Sequence, residues 1–285
     1  MLAPLDKLLH SLPFPWSLAV LCLVMTVVAV LAWRAKQLTV SGAVLAWLEG
    51  VCIAWFLGFE GLAVMLLFFL SAAVIGRCSK RIHAARNIVS IQKKTGARDW
   101  MQVIANGAPA TVAALLYAVA PTPLALVMFG AGVAEAASDT WAGEIGILSR
   151  RNPVSILTMR PITPGLSGGV SAIGTFSGLA GAVMIAVFWL GSFAAFGSQS
   201  FSAWVGYASF VAVGGFSGCL MDSLLGALVQ AHYWDDERQR LTEHEFVNGR
   251  KLELSRGIRW VDNDMVNLIS NLFGVLLAGG LASIV

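Results

Sequence analysis

Five carboxylates stand inside runs of residues apolar enough to cross a membrane: Glu49, Glu135, Asp139, Glu144 and Asp222. Two more, Asp262 and Asp264, open the last such run. An ionised side chain in lipid costs about 2.5–3.5 kcal/mol on insertion scales. A chain that keeps this many must give them water, partners or a metal. Asp139 lies nine residues before the end of its run and Asp222 eight before the end of its own. At 1.5 Å per residue, both sit roughly 12–13 Å in from the same membrane face, and Asp262 and Asp264 enter from that face. Hard divalent cations take oxygen ligands, and Mg²⁺ commonly uses one or two carboxylates plus substrate phosphates. The spacing therefore marks Asp139, Asp222, Asp262 and Asp264 as candidate metal ligands around an inward-facing cleft, with Asp139 and Asp222 as the catalytic pair. The competing reading is that some of them are structural and hydrogen-bonded across helices.

Other polar residues lie near this face. Glu135 is four residues before Asp139 and shares its helix face. Glu144 is five beyond and turned about 140° away on an ideal helix, so it joins the site only if the Gly143–Gly146 region bends. Both are further candidates, whereas Glu49 stands alone. Asn263, Asn267 and Asn271 form one stripe at four-residue spacing. The first two are near enough to the face to orient phosphate or water; Asn271 is deep and suits hydrogen bonding between helices. Asn106, at the inner end of the fourth run, and Ser223, beside Asp222, are further phosphate-binding candidates. Residues 164–181 read PGLSGGVSAIGTFSGLAG. Glycines let backbone N–H groups approach an anion at a helix start, so Gly165, Ser167, Gly168 and Gly169 are expected to cradle phosphate, with Arg160 supplying charge. There is no GxxxxGK[ST], which excludes a P-loop. Gly174 and Gly178 fit close helix packing instead. A short echo links Asp139 to Gly143 with Asp222 to Gly226, each an Asp, a hydroxyl residue and then a Gly four positions after the Asp.

The elements that must position these residues follow from composition. Hydrophobic residues make up 57% of the chain and charged residues 12%, half the roughly 25% of a soluble domain. Eight helical spans are expected near residues 15–33, 38–57, 61–76, 102–120, 124–148, 166–190, 203–230 and 261–284, in one all-α membrane domain. Eighteen of the nineteen Lys and Arg residues fall in alternate gaps: residues 34–36, 77–98, 150–160 and 238–259. Positive charge is retained on the cytoplasmic side, so both termini are expected outside and the 77–101 and 231–259 loops inside. In the first loop Ile82, Ala85, Val89 and Gln92-Lys93 have helical spacing, which suggests a basic amphipathic helix on the membrane surface. The second mixes six basic with six acidic residues and reads as a small solvated insertion. The net charge of +3, so placed, suits a membrane surface and phosphate groups; no motif that reads nucleic acid is visible. The first run ends in Trp33-Arg34, unlike a cleavable signal sequence. The four Cys show no paired spacing and are expected as buried free thiols.

Five ordered blocks from Arg98 onward carry a resemblance: QVIANG (102–107), SDTWAGEIG (138–146), PGLSGGVSAIGT (164–175), MDSLLGALVQ (221–230) and DNDMVN (262–267). With them the chain resembles the integral-membrane family that includes plant phytyl-phosphate kinase. More distantly it is similar to dolichol kinase and CDP-diacylglycerol synthase, which use CTP in the membrane. One departure is Leu166, where the family often has Thr; Ser167 is then the hydroxyl available to phosphate. The resemblance implies CTP as phosphoryl donor and an isoprenoid monophosphate as acceptor, with a divalent cation, Mg²⁺, as cofactor and an active site facing the cytoplasm. A phosphate acceptor needs no general base, and the acceptor's apolar tail is expected to stay in the bilayer. A homo-oligomer is compatible with this reading. Rival readings are a cytidylyltransferase making a CDP-linked lipid, a prenol kinase, and a transporter using the intramembrane acids.

Overall fold

The computed structural model describes residues 3–86, 96–195 and 199–284. It is mainly helical, as expected: α1 Ala3–His10, α2 Phe14–Arg34, α3 Val40–Arg86, α4 Trp100–Val119, α5 Pro123–Gly146, α6 Ala172–Phe193, α7 Phe201–Leu228 and α8 Asn263–Ala282. Among the described residues six of these (α2, α3, α4, α6, α7 and α8) are long and apolar enough to cross a membrane. α5 falls short of that standard; Glu135, Asp139 and Glu144 lie on it, and other helices surround it. Ten consecutive residues, Phe129–Ser138, are buried, and α5 packs on α3, α4, α6, α7 and α8.

Local sequence sets the helix starts. Asp99 and Gln102 form a reciprocal capping box at α4, each accepting the other's backbone N–H at 3.1–3.2 Å. Ser171, Ser200, Thr122 and Asp262 cap α6, α7, α5 and α8 through their side-chain oxygens. Such caps satisfy N–H groups that the first helical turn leaves open. The second and third expected spans are one element, α3, broken where Gly58 leaves helical geometry at φ +69 and ψ −172. There the Phe59 N–H donates to Asp6 of α1 at 3.0 Å. The second arm of α3 runs on past residue 76 to Arg86, so part of the expected inner loop is helix. Val89 and Gln92-Lys93, on which the expected amphipathic helix depends, lie outside the described residues.

Outward faces of the long helices are apolar, with Leu23, Leu31, Phe176, Val187 and Leu276 exposed. Hydrocarbon is the medium that suits them. Trp16 and Trp33 are exposed at opposite ends of α2, and Trp100 and Trp260 at the starts of α4 and α8. Indoles favour the membrane–water boundary. The seventeen helical steps from Trp16 to Trp33 span about 26 Å, close to the hydrocarbon thickness of a bilayer. Within the bundle the buried Trp189 donates to the Leu126 carbonyl at 2.9 Å and packs against Phe193 and Trp204.

Two insertions interrupt the helices. Residues 147–171 contain a short hairpin, β1 Val154–Ser155 paired with β2 Gly169–Val170. Residues 229–262 fold into a three-stranded antiparallel sheet with order β4-β3-β7 (Arg240–Thr242, His232–Asp235, Glu253–Arg256), beside a second hairpin, β5 Phe246–Val247 with β6 Arg250–Lys251. The second insertion is therefore more than a solvated loop. Ala231, Tyr233 and Leu252 form a small core, and His232, Asp235, Thr242 and Glu243 are buried with it. The four Cys are free, but only Cys219 is buried and Cys78 is exposed, so burial of the thiols holds for one of them.

Candidate functional site

The helix ends beside the basic stretches meet one another. Leu38 pairs with Arg98, Ser79 donates to the Glu144 carbonyl at 3.0 Å, and Ser167 is joined to Glu243. The acids gather at this end, on α5, α7 and α8.

α7 and α8 approach through backbone. A Cβ on Gly214 would meet the Gly274 carbonyl oxygen at 2.6 Å, and one on Gly274 the Gly214 oxygen at 2.7 Å. Side chains larger than hydrogen would separate the helices and pull the polar residues apart. Between them Glu135 of α5 is buried. It accepts from Ser270 Oγ at 3.0 Å and from Asn271 Nδ2 at 2.7 Å, and Asn271 also donates to the Gly132 carbonyl at 3.0 Å. Ser270 Oγ lies 3.3 Å from Asp222 Oδ2. With its amide turned so that nitrogen faces these acceptors, the orientation that its neighbours demand, Asn267 donates to that same oxygen at 2.8 Å and to the Asn263 carbonyl at 3.0 Å. Glu135, Asp222, Ser270, Asn267 and Asn271 are thus one hydrogen-bonded chain through three helices. The Asn271 role as interhelical bond is as expected. Glu135 takes a structural place in that chain.

Asp139 is one turn further along α5 and close enough to Asp222 and Glu135 for their charges to act on one another. Arg98, just before α4, faces Asp139 and Glu144. Burial pushes its guanidinium pKa down, and those two carboxylates pull it back up. It also reaches Thr140 Oγ1 at 3.4 Å and lies 5.4 Å from the Phe68 ring centre. Glu144 is turned toward α3, near Gly76, which agrees with the helical-wheel angle and takes it away from Asp222.

The remaining expected residues divide. Asp262 caps α8, its Oδ1 accepting the Met265 N–H at 3.2 Å. With Asn263 and the buried Asp264 it lines a polar cavity of about 240 Å³, together with Gln102, Gln230, Tyr233, Glu243, Glu245 and Arg259. Asp139 and Asp222 do not line that cavity. Glu243 connects the two parts: it lines the cavity, its charge acts on Asp222, and it accepts both the N–H and the hydroxyl of Ser167. Among the described residues no group of three or more His, Cys, Asp or Glu side chains is set to hold a metal ion. The expected four-carboxylate cluster is corrected accordingly, because Asp262 and Asp264 are drawn to the cavity wall by the start of α8.

The expected phosphate cradle is also corrected. The N–H of Leu166 bonds Thr163 O, that of Gly169 bonds Leu166 O, and that of Ser167 bonds Glu243. Gly165 and Gly168 have φ of +85 and +87, and a Cβ on Gly168 would lie 2.6 Å from Ala227 of α7. The segment is a tight turn locked against the end of α7, with most of its amides turned inward. Arg160 is exposed on the turn below it; the cation on the cavity wall is Arg259. Asn106 bonds its own helix at the Gln102 carbonyl, 2.8 Å. Ser223 is half-buried beside Asp222. Gly174 and Gly178 do pack closely, against Ala142 and Ser138 of α5.

Gln230 belongs to the site although nothing in its spacing marks it. It is 2% exposed, it lines the cavity, and its Oε1 has no hydrogen-bond partner among the described residues. Its neighbour His232 lies 2.9 Å from the Gln230 carbonyl through Nδ1. Burial, and then the charge of Arg256, push that imidazole down to about 4, so it is neutral near pH 7. Ser270 and Arg98 likewise escape a reading that follows the acids and the Asn stripe alone.

The comparisons agree with a membrane bundle. Residues 23–275 match the model of a family described as integral membrane protein DUF92, and the chain belongs to that family. It is an integral membrane protein. It is 29% identical over 277 residues to an uncharacterized membrane protein of Synechocystis, covering 95% of this chain and 93% of that one. It is also 29% identical over 226 residues to one of Methanocaldococcus jannaschii, covering 79% and 86%. To Protein PGR of Arabidopsis thaliana it is 26% identical over 286 residues, covering 92% and 93%. No solved structure matches it.

Proposed function

We propose that the protein is a lipid-monophosphate kinase that moves the terminal phosphoryl group of a nucleoside triphosphate onto a prenyl or phytyl monophosphate. CTP is the donor implied by the sequence resemblance. The observation that carries this reading is that Asp139 and Asp222, on different helices, lie close enough for their charges to act on one another, with Asp222 approached by Ser270 and Asn267 and linked through Glu243 to a polar cavity.

The donor set suits Mg²⁺. It is all hard oxygen, and a cation that keeps several waters and binds phosphates needs only one or two carboxylates; Asp139 and Asp222 would supply them. Bound there, the ion would neutralise charge on the transferring group. The Asn267 amide donates to Asp222 Oδ2, the oxygen that the Ser270 hydroxyl also approaches at 3.3 Å, and such contacts fix how a carboxylate presents itself to a metal. Arg259 on the cavity wall and Arg98 beside Asp139 offer positive charge to phosphates. The acceptor phosphate, with a second pKa near ~6, is already a dianion at neutral pH. One of its oxygens forms the new bond to the γ-phosphorus, while the bond to the β–γ bridging oxygen breaks and the nucleoside diphosphate leaves with that electron pair. No general base is required for that step.

The test is purified protein in lipid with γ-labelled CTP and a panel of prenyl monophosphates, comparing wild type with Asp139→Asn and Asp222→Asn. Label should pass to the lipid with release of CDP, and both variants should lose at least about a hundredfold of that rate, the scale of a lost charge-stabilising group. Release of inorganic diphosphate would favour nucleotidyl transfer instead. Wild-type turnover in both variants would remove Asp139 and Asp222 from the mechanism.

A further inference from the structure

A second hollow lies between α2, α3 and α4, on the other side of Gln102 from the polar cavity. It is narrow, about 90 Å³, and its walls are apolar, including Met25, Ala29, Leu62 and Leu66. Along α2 it runs from Met25 to Ala32, and along the second arm of α3 from Leu62 to Phe69, about 10 Å in each case. Small residues keep it open: Ala29 and Ala32 on α2, Ala46 and Gly50 on α3. Its α4 side is polar. Gln102 and Asn106 lie one turn apart on one face of α4, and Arg98 joins the wall from just before the helix. Gln102 lines both this groove and the polar cavity, and Arg98 stands at the groove while its charge also meets Asp139.

We infer that this groove holds the hydrocarbon chain of the acceptor lipid, with the lipid's phosphate at Arg98 and Gln102, where groove and cavity adjoin. The identity of the head group rests on the kinase reading above; the location of the chain rests on the groove. Three observations select a single-chain anionic amphiphile as the occupant. The medium around these helices is hydrocarbon. The one cation on the groove's described wall, Arg98, lies at the basic end of the bundle. The one carboxylate on it, Glu49, sits nine residues into α3, roughly 13 Å deeper than Val40. A phosphate is thus attracted at the level of Arg98, while the deep end, where Glu49 lies level with Met25 and Leu62, offers no cation, so the chain takes the apolar stretch between. The tail is then held by the protein and does not merely dissolve in the bilayer.

The test uses the full chain in nanodiscs and a prenyl monophosphate with a diazirine on its chain about 10 Å from the phosphate, the length of the groove. On irradiation, label should concentrate on peptides carrying residues 25–32 and 62–69, and unlabelled prenyl phosphate should compete it away. Label spread over outward-facing residues such as Phe176, Val187 and Leu276, without competition, would overturn the assignment. Filling the groove with Ala29→Phe and Ala46→Phe should raise KM for the prenyl phosphate about tenfold with kcat and the nucleotide KM unchanged, the pattern of lost ground-state binding. Unchanged KM in a folded variant would count against the groove. The two readings fail separately: competed labelling in a protein that transfers no phosphate keeps the groove and removes the kinase, and turnover with unlocalised label does the reverse.

Discussion

In the half of the bundle built from α5, α7 and α8, helices meet through bare backbone and the space between them is filled by hydrogen-bonded polar groups. In the half built from α2, α3 and α4, helices meet through side chains and leave an apolar groove. Each half contains a buried or half-buried glutamate facing a glycine on another helix. Glu135 fits against Gly218 and accepts from Ser270 and Asn271. Glu49 fits against Gly107, yet has no hydrogen bond or ion pair among the described residues. The same residue type in the same kind of niche is therefore tied down in one half and left alone in the other. Polar groups in a membrane that are fully partnered hold helices in register; those that are not face whatever enters from lipid or water.

The largest effect expected from this difference is at Gly218. A Cβ there would overlap the Glu135 Cγ and lie 3.0 Å from the Ser270 carbonyl oxygen. Gly218→Leu should prevent α7 from seating against α5 and α8, costing more than about 4 kcal/mol, the range reserved for severe overpacking and broken buried networks. Loss of monodisperse protein on size exclusion is the readout. Ala46→Leu in the groove half should be tolerated. Comparable loss in both would mean that both halves are equally close-packed.

A smaller effect is expected at Asn271. Replacing it with Leu leaves Glu135 Oε2 and the Gly132 carbonyl without their donor, at a cost of about 1–3 kcal/mol. Combining Asn271→Leu with Glu135→Leu should cost less than the sum of the two, because each removes the same bond. A coupling of about 0.6–1.7 kcal/mol is the range found for such pairs in membranes. Strict additivity in a denaturation cycle would show that the two residues act apart and that the polar chain is no unit.

The sequence made the helices legible because apolar runs of bilayer length have few other solutions, and because Asp99, Ser171, Thr122 and Asp262 are caps that declare a start. It also set Asp139 and Asp222 at one depth from one face, and in the fold the charge of Asp139 acts on Asp222. What escaped it depended on contacts distant in sequence. Glycines 165–169 looked open to an anion, but the Ser167 amide is taken by Glu243, 76 residues later. The 231–259 segment reads as solvated because its charges balance, while the burial of His232 and Glu243 comes only from strand pairing. Ser270 was findable: it lies three residues after Asn267, on the same helix face. Arg98 was hidden among seven basic residues, although the Asp99–Gln102 cap beside it marks the turn that aims it inward. The echo between residues 139–143 and 222–226 did not survive folding in kind. Gly226 is packed on Ser167 and Gly168, while Gly143 has open space around it.

The smallest effect sharpens the comparison most. Glu49→Gln keeps the shape of the side chain against Gly107 and removes only the capacity for charge. If Glu49 has no partner, the change removes nothing that held the fold. Relief from placing an acid in an apolar wall, worth up to about 3 kcal/mol on insertion scales but less where water reaches the groove, would then leave stability unchanged or slightly raised. Thermal unfolding of the two proteins in the same lipid should differ by less than about 1 kcal/mol, with the variant the more stable. The corresponding Glu135→Gln can keep its oxygen on Asn271 only by turning its NH2 to the Ser270 hydroxyl, which must then stop donating to residue 135, and it should unfold earlier. If Glu49→Gln is instead the more damaging of the two, the groove half is held by a polar contact of its own. Its open acid would then be a structural element, and the contrast between the halves would fall.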